Sequence, residues 1–170
     1  MAELSRADEV RNLLGFYCDL MDAGDWHGVG RLFTHGKLRS NGAVLAEGAE
    51  QVTDFFERGT RIHAGVPAAA PDAGPLVGGG FPGSPRTKHL VLNTQLAFHA
   101  GGRAIEARSS YLVLQAVPGE LALQPIITGR YLDTFGIDAP DELRWRQRDF
   151  SVDLVGNLSH HLTWEPPVIG

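Results

Sequence analysis

The chain has 170 residues, of which 43% are hydrophobic and 21% are charged, and its formal net charge at pH 7 is -5. This length and balance are those of one globular domain with its own hydrophobic core, and they exclude a disordered chain. Acidic and basic residues are scattered without a lysine and arginine stripe, so we expect no nucleic-acid partner.

The single cysteine, Cys18, excludes an internal disulfide and any multi-cysteine metal cluster. We interpret it as a buried, inert thiol because it lies within a helical apolar pattern. The N-terminal segment is charged and lacks the apolar core of a signal peptide, and no apolar run approaches the roughly 20 residues that span a bilayer. We therefore expect a soluble, cytoplasmic protein that does not act at a membrane.

Two helices open the predicted fold. The first begins after a potential N-cap, Ser5, and its apolar spacing stops before Gly24. Asp25 can cap the second helix. Asp22 therefore lies in the last turn of the first helix, where the helix dipole disfavours an exposed carboxylate by roughly 0.3–1 kcal/mol. This cost suggests a functional reason for the residue, although helix ends also carry such aspartates without one.

The middle of the chain predicts a hairpin, a third helix and a long loop. The hairpin covers Leu38–Leu45 and turns at Asn41-Gly42, and the helix after it ends near Gly65. Residues 64–85 are dominated by Ala, Gly and Pro, and a loop of this length in a compact domain is a lid, a binding loop or disordered. We interpret it as a flap rather than a linker, so residues 1–170 form a single domain.

Long strands make up the rest of the chain, with turns marked by Gly and Pro pairs. They are predicted at Arg86–Phe98, Arg103–Val117, Leu121–Phe135 and Leu143–Leu154. Helices followed by long antiparallel strands are typical of an α+β fold in which the helices pack on one face of a curved sheet.

The two-residue period of strands predicts which side chains share a face. It puts His89, Val91, Asn93 and Gln95 on one face of the first long strand. If this row faces a pocket, Asn93 can hold a substrate oxygen; the alternative is that the row faces water. The opposite row, Leu90, Leu92, Leu96 and Phe98, suits either a dimer contact or packing under the helices.

Several short motifs together resemble one superfamily. Tyr17 to Trp26 contains a tyrosine followed by Asp-x-x-Asp-Trp, and Leu32-Phe33 comes after it. The run Thr87 to Asn93 contains His-x-x-x-Asn, and Trp145-Arg146 places an arginine after an aromatic residue in the last strand. In this order and spacing the motifs resemble the SnoaL-like/NTF2-like superfamily, especially its scytalone dehydratase and lindane dehydrochlorinase branch. The resemblance implies a cone-shaped α+β barrel whose curved, mixed or antiparallel sheet encloses a pocket.

The resemblance also implies roles for individual residues. Those enzymes use an aspartate at the position of Asp22 and a histidine at that of His89 as a hydrogen-bonded pair, with the histidine as base. The dehydrochlorinase pattern has an arginine that corresponds to Arg148. Scytalone dehydratase carries a second histidine on the following strand, and this chain has none there, which argues against dehydration of the same substrate.

Other readings of these residues stay open. Arg148 could stabilise a developing anion, but it alternates with Arg144 and Arg146 and could belong to a solvated basic edge. Tyr17 could donate a hydrogen bond into the pocket or be an ordinary core residue. We expect no metal site, because His160 and His161 would point opposite ways in an extended chain and the other histidines lack ligand spacing.

The first hypothesis is a cofactor-independent lyase or isomerase of the dehydratase, dehydrohalogenase or ketone isomerase type. Its substrate would be a small, apolar cyclic or aromatic molecule. His89 would take a proton, Asp22 would orient it, and Tyr17, Asn93 and Arg148 would bind the substrate. The alternative is a non-catalytic domain, either a small-ligand binder, an oxygenase β-subunit-like scaffold or a polyketide-tailoring accessory protein. In both cases the resemblance implies a homodimer formed by the outer sheet face.

Overall fold

A computed structural model of the protein describes residues 5–64, 83–99, 101–138 and 141–164. Its helices are α1 (Arg6–Ala23), α2 (Trp26–Leu32) and α3 (Gly48–Gly59). The strands before the long sheet segments are β1 (Lys37–Ser40), β2 (Ala43–Glu47), β3 (His63–Ala64) and β4 (Gly83–Ser84). The long strands are β5 (Thr87–Phe98), β6 (Ala104–Val117), β7 (Leu121–Asp138) and β8 (Glu142–Val155).

The long strands and the first hairpin form one mixed, six-stranded sheet in the order β2-β1-β8-β7-β6-β5. All neighbours are antiparallel except β1 and β8, which run parallel. The helices pack on one face of this sheet, so the predicted α+β cone fold is confirmed. The short strands β3 and β4 pair with each other, His63 with Ser84 and Ala64 with Gly83. Most of the predicted flap at 64–85 lies outside the described residues.

Local sequence explains where α1 begins and ends. The Ser5 side chain accepts a hydrogen bond from the Asp8 amide at 3.3 Å, which satisfies one of the free N–H groups of the first turn. Gly24 has a φ of 73°, the left-handed conformation that suits glycine at a helix C-terminus. The helix therefore ends there and leaves Asp22 in its last turn. Asp25 caps α2 through a 2.7 Å bond from the Gly28 amide.

Aromatic side chains form the centre of the core between the helices and the sheet. Trp145 of β8 is 1% exposed, and its ring lies 4.9 Å from that of Phe33, 5.2 Å from that of Phe135 and 5.6 Å from that of Tyr17. Rings of this size bury much apolar area and favour the stacked and edge-on contacts seen here. This cluster holds α1 against the middle of the sheet.

The third helix ends earlier than predicted, at Gly59 instead of near Gly65. Thr60 is already extended, and it forms an antiparallel bridge with Leu162 near the C-terminus. The backbone pairing to a distant segment ends the helix here, and helical periodicity cannot reveal it.

A bulge in β5 overturns the predicted row of side chains on that strand. Leu92 pairs with Ser110 and Gln95 pairs with Arg108, so β5 has one residue more than β6 across this step. Asn93 absorbs the difference with a φ of 54°. Beyond the bulge the faces are exchanged, because the side-chain period is two residues. Gln95 therefore lies on the outer face, and Leu96 packs against the core.

A second bulge, in β8, overturns the reading of its arginines as one solvated edge. Thr134 pairs with Gln147 and Phe135 with Trp145, so Arg146 is the extra residue. Trp145 and Arg148, three positions apart, consequently both face the core and are 1% and 0% exposed. Arg144 and Arg146 stay near the surface, in ion pairs with Glu142 and Asp138.

The bulge at Asn93 yields a stability prediction. Left-handed backbone costs a residue with a Cβ roughly 1–2 kcal/mol, is tolerated best by Gly and Asn, and suits β-branched residues least. Because Asn93 is exposed, the substitution Asn93→Val should lower the free energy of unfolding by about 1–2 kcal/mol, and Asn93→Gly should change it by less than about 0.5 kcal/mol. Urea denaturation measures both values. Equal stabilities of the two variants would contradict the positive φ at this position.

Candidate functional site

The C-terminal turn of α1 meets the first residues of β5 through one carboxylate. Asp22 Oδ1 lies 2.6 Å from His89 Nδ1, and the two side chains are 10% and 7% exposed. The same carboxylate accepts hydrogen bonds from the His89 amide at 3.0 and 3.1 Å and from the Thr87 hydroxyl at 3.0 Å. Lys88 adds a more exposed ion pair at 3.3 Å. We call the two side chains the Asp22–His89 dyad.

The contact determines how the neutral His89 ring carries its proton. A carboxylate only accepts hydrogen bonds, so Nδ1 must be the protonated nitrogen of the ring. Nε2 then carries the free lone pair. Within the described parts of the chain, Nε2 has no hydrogen-bond partner. A buried imidazole held in this way has the geometry of a general base whose orientation and charge are supported by an aspartate.

Arg148 is held on the same face of the sheet by a second aspartate. Its Nε and Nη2 atoms each donate to Asp133 at 2.8 Å, and both side chains are fully buried. Trp145 Nε1 also donates to Asp133, at 3.1 Å. Burial alone would lower the pKa of Arg148, but the charge and hydrogen bonds of Asp133 raise it overall. Arg148 is therefore a permanent buried cation.

Aromatic rings surround this cation. Its guanidinium carbon lies 4.2 Å from the ring centre of Tyr17, 3.8 Å from that of Tyr131 and 4.4 Å from that of Trp145. The third guanidinium nitrogen, Nη1, is buried and has no hydrogen-bond partner within the described ranges. Because an unpaired buried donor is costly, this nitrogen suits a ligand oxygen or a water.

Tyr17 and Cys18 belong to the helix face that covers this region. Burial raises the pKa of Tyr17 to about 12, and the Arg148 charge opposes that rise. Burial likewise raises the pKa of Cys18 to about 11, and the charges of Arg148 and Asp22 act on it in opposite directions. Both groups are neutral at pH 7, so neither supplies a nucleophilic anion.

Asn93 is not brought to the dyad. It is exposed at the β5 bulge and lines an open depression of about 560 Å³ together with Gln95, Arg108 and Arg130. Most of the lining comes from the outer sheet face, on the other side of the sheet from His89. The prediction that Asn93 and His89 share a face is wrong because the bulge intervenes.

Two buried polar residues near the dyad are not among the site residues predicted from the sequence. Gln115 of β6 is 1% exposed, and His161 in the C-terminal segment is 9% exposed. The amides of His161 and Leu162 both bond to the Leu158 carbonyl, so this segment is a helical turn and not the extended chain that we assumed. The spacing of Leu158, His161 and Leu162 is the signal that could have revealed an inward-facing histidine.

Neither a membrane helix nor a metal cluster is found in the part of the chain that the structure describes. None of its helices is long and apolar enough to cross a membrane. Its His, Cys, Asp and Glu side chains form no group of three or more that could hold a metal ion.

The sequence model of the SnoaL-like domain matches residues 2–150. The chain belongs to the SnoaL-like domain family. The comparison with curated proteins gives no significant match.

Solved structures similar to this SnoaL-like domain share its fold. ActVI-ORFA from Streptomyces coelicolor is 21% identical with a TM-score of 0.63, over 88% of this chain and 98% of that one. An NTF2-like protein with a cystatin-like fold from Novosphingobium aromaticivorans is 19% identical with a TM-score of 0.60, over 86% and 80% of the two chains. The β subunit of a putative aromatic-ring-hydroxylating dioxygenase from the same organism is 13% identical with a TM-score of 0.57, over 86% and 88%.

The buried ion pair yields the second prediction. Removing the charge of Asp133 leaves Arg148 buried without its partner, so Asp133→Asn should lower the free energy of unfolding by about 3–5 kcal/mol. The matched control is Asp138→Asn, which breaks the partly exposed pair with Arg146 and should cost about 0–1 kcal/mol. Chemical denaturation of both variants makes the comparison, and similar costs would contradict a buried, charged Arg148.

The burial of His161 yields a pH prediction. Desolvation, and then the nearby His89 and His63, lower the pKa of His161 to about 4 from 6.5. The unfolded state binds the proton more readily, so the free energy of unfolding should fall as the pH drops from about 6.5 to about 4 and should not depend on this group above 6.5. The full effect is on the order of 3 kcal/mol. Denaturation curves across this range should show a shallower slope for His161→Phe, and parallel slopes would refute the assignment.

Proposed function

We propose that this SnoaL-like domain is a lyase or isomerase that removes a proton from a small, largely apolar cyclic or aromatic molecule. The observation that carries the proposal is the 2.6 Å contact between Asp22 Oδ1 and His89 Nδ1. It leaves His89 Nε2 as the base. Histidine is the side chain whose unperturbed pKa lies nearest to neutral pH, which favours it as a general base.

Asp22 orients the imidazole in this proposal and stabilises the imidazolium that forms when Nε2 takes the proton. The hydrogen bonds from Thr87 and from the His89 amide hold the carboxylate in place before substrate binds. A base that is already oriented loses little entropy when the reaction begins.

Arg148 is the candidate for stabilising the negative charge left on the substrate. Its Nη1 is buried and without a partner among the described residues, and the guanidinium is rigidly held by Asp133. A fixed cation in a water-poor site stabilises an enolate or a departing anion without reorganising. Tyr17 packs on this cation and belongs to the wall of the site.

The surroundings of the dyad favour an apolar substrate. A cluster of buried side chains adjoins His89. It consists of Tyr111, Val113, Ile126 and Tyr131 on the inner face of the sheet and Leu158 in the C-terminal turn. Val113 pairs directly across from His89. Apolar surroundings of this kind favour a ring-shaped molecule with few polar groups.

The proposal includes a homodimer formed by the outer face of the sheet. Leu92 and Leu132 lie on that face and are 43% and 39% exposed. Leu96, which we placed in the same row from sequence, is excluded from this contact because it packs against the core.

Proton abstraction can be tested before the natural substrate is known. Deuterium exchange at the carbon beside the carbonyl of 1-indanone and 2-tetralone, followed in D₂O by NMR, reports on the base alone. If these ketones enter the site, His89→Ala should slow the enzyme-dependent exchange by about 10²–10⁴-fold. Asp22→Asn should also slow it strongly, because the amide no longer selects the Nδ1–H form of the ring.

The control variant is His99→Ala, which removes an exposed histidine paired with Glu106 and should keep the wild-type rate. Added imidazole should restore part of the exchange to His89→Ala, since a small base can enter the vacated space. Wild-type rates in His89→Ala would refute the assignment of the base. A wild-type protein that accelerates none of a panel of cyclic ketones, hydroxylated aromatics and halogenated rings would favour the ligand-binding alternative.

A further inference from the structure

Two buried polar atoms beside the dyad are left without partners. Gln115 Oε1 and His161 Nδ1 are both inaccessible to solvent and make no hydrogen bond within the described residues. Gln115 is 1% exposed and His161 is 9% exposed. Leaving such atoms unpaired costs free energy, so an unpaired couple in one place indicates a site for a polar group.

The orientation of the Gln115 amide is determined by its nitrogen. Nε2 donates to the Pro85 carbonyl at 2.9 Å and to the His160 carbonyl at 2.9 Å. Rotating the amide by half a turn would place its oxygen against two carbonyl oxygens and lose both bonds. Oε1 is therefore a true acceptor, and whatever occupies the space beside it must donate a hydrogen bond.

The same contact brings the backbone that carries His161 against the Gln115 side chain. The His160 carbonyl that binds Gln115 Nε2 belongs to the peptide linking His160 to His161. The helical turn from Leu158 to Leu162 directs His161 to the buried side, where Leu158 and Leu162 pack on Tyr111, Val113 and Ile126. Gln115 and the His161 ring thus lie at one end of the inner face.

This end of the inner face adjoins the dyad. Gln115 pairs with Thr87, and Val113, two positions earlier on the same face of β6, pairs with His89. Side chains in such diagonal positions have Cα atoms about 7–8 Å apart. The charges of His89 and Asp22 both act on His161, which is consistent with this placement.

The charge state of His161 limits what it can bind. Burial lowers its pKa to about 4, so the ring is neutral at neutral pH and offers one donor and one acceptor. A carbonyl, an ether oxygen or a halogen has no proton to give to Gln115 Oε1. A hydroxyl group can donate to Oε1 and at the same time form a hydrogen bond with His161 Nδ1.

We propose that Gln115 and His161 form a binding site for a hydroxyl group of the ligand, next to the Asp22–His89 dyad. This inference rests on the proposed function and deepens it, because it narrows the substrate class to hydroxylated rings. His161 acts here as a binding residue that touches the substrate, and it transfers no proton. Among candidate substrates, a ring that carries a hydroxyl a short distance from the acidic carbon is preferred over one that carries a ketone or halogen at that place.

Binding of 2-naphthol and of its methyl ether, 2-methoxynaphthalene, tests the inference. The two probes have the same ring system, and only 2-naphthol can donate to Gln115 Oε1. The wild-type protein should bind 2-naphthol at least tenfold more tightly, as measured by fluorescence titration. His161→Phe keeps a ring of similar size without nitrogens, and it should reduce this preference to less than threefold while leaving the affinity for the ether unchanged.

The matched control is His160→Phe. The His160 side chain is partly exposed and paired with Glu120, and its backbone carbonyl, which holds Gln115, survives the substitution. This variant should keep the tenfold preference. A second measurement needs no variant and uses the ¹⁵N NMR signal of His161 Nδ1 in the wild-type protein. This signal should shift when 2-naphthol is added and should not shift when the ether is added.

Three outcomes would overturn the inference: equal wild-type affinities for the two probes, no binding of either, or a preserved preference in His161→Phe. A tightly held structural water between Gln115 and His161 would produce equal affinities for the two probes. Because the titration needs no turnover, an inactive His89 would leave the hydroxyl preference intact. A protein that exchanges ketone protons but shows no preference would retain the proposed function and lose only the hydroxyl site.

Discussion

One carboxylate joins the helical layer to the sheet at the point where the chemistry is proposed. Asp22 contacts three consecutive residues at the start of β5. It accepts hydrogen bonds from Thr87 and His89 and forms an ion pair with Lys88. The left-handed Gly24 ends α1 two residues later, so the carboxylate is held at a rigid helix end. Because both the His89 backbone and its ring bind the same group, the position and the protonated nitrogen of the imidazole are determined together.

A second buried carboxylate, that of Asp133, orients another side chain on the inner face of the sheet. Asp133 holds Arg148 in two parallel hydrogen bonds and accepts a third from Trp145, in a setting of aromatic rings. A buried ion pair rarely adds stability over apolar packing, so its presence in the core favours a role in binding or specificity. The Arg148 Nη1 atom, which has no hydrogen-bond partner among the described residues, agrees with that role.

The inner face of the sheet is therefore divided into zones with different chemistry. Along β6, Ala107 is the partner of Asp133 and Val113 is the partner of His89, so the dyad lies between the buried Asp133–Arg148 pair and Gln115. Buried apolar side chains pack beside it. The proposed substrate, which is mostly apolar and carries polar atoms near the carbon that would lose the proton, suits all three zones.

The sequence alone determined the long strands, the first helices and the two residues of the dyad. Local signals such as the Ser5 cap, the Asn41-Gly42 turn and the strand periods act between near neighbours, so the helix starts and the extents of the long strands follow from them. Asp22 at a helix end and His89 in a strand were predictable for the same reason, with the resemblance supplying their pairing.

Only the tertiary structure decided which way the remaining side chains face. The bulges at Asn93 and Arg146 each add one residue and so exchange the faces of the strand beyond them. As a result, Asn93 does not share a face with His89, and Arg148 is buried in the core. Likewise, the pairing of Thr60 with Leu162 anchors the C-terminal turn that carries His161 inward. Bulges and long-range pairings depend on the partner strand, and the period within a single strand holds no information about its partner.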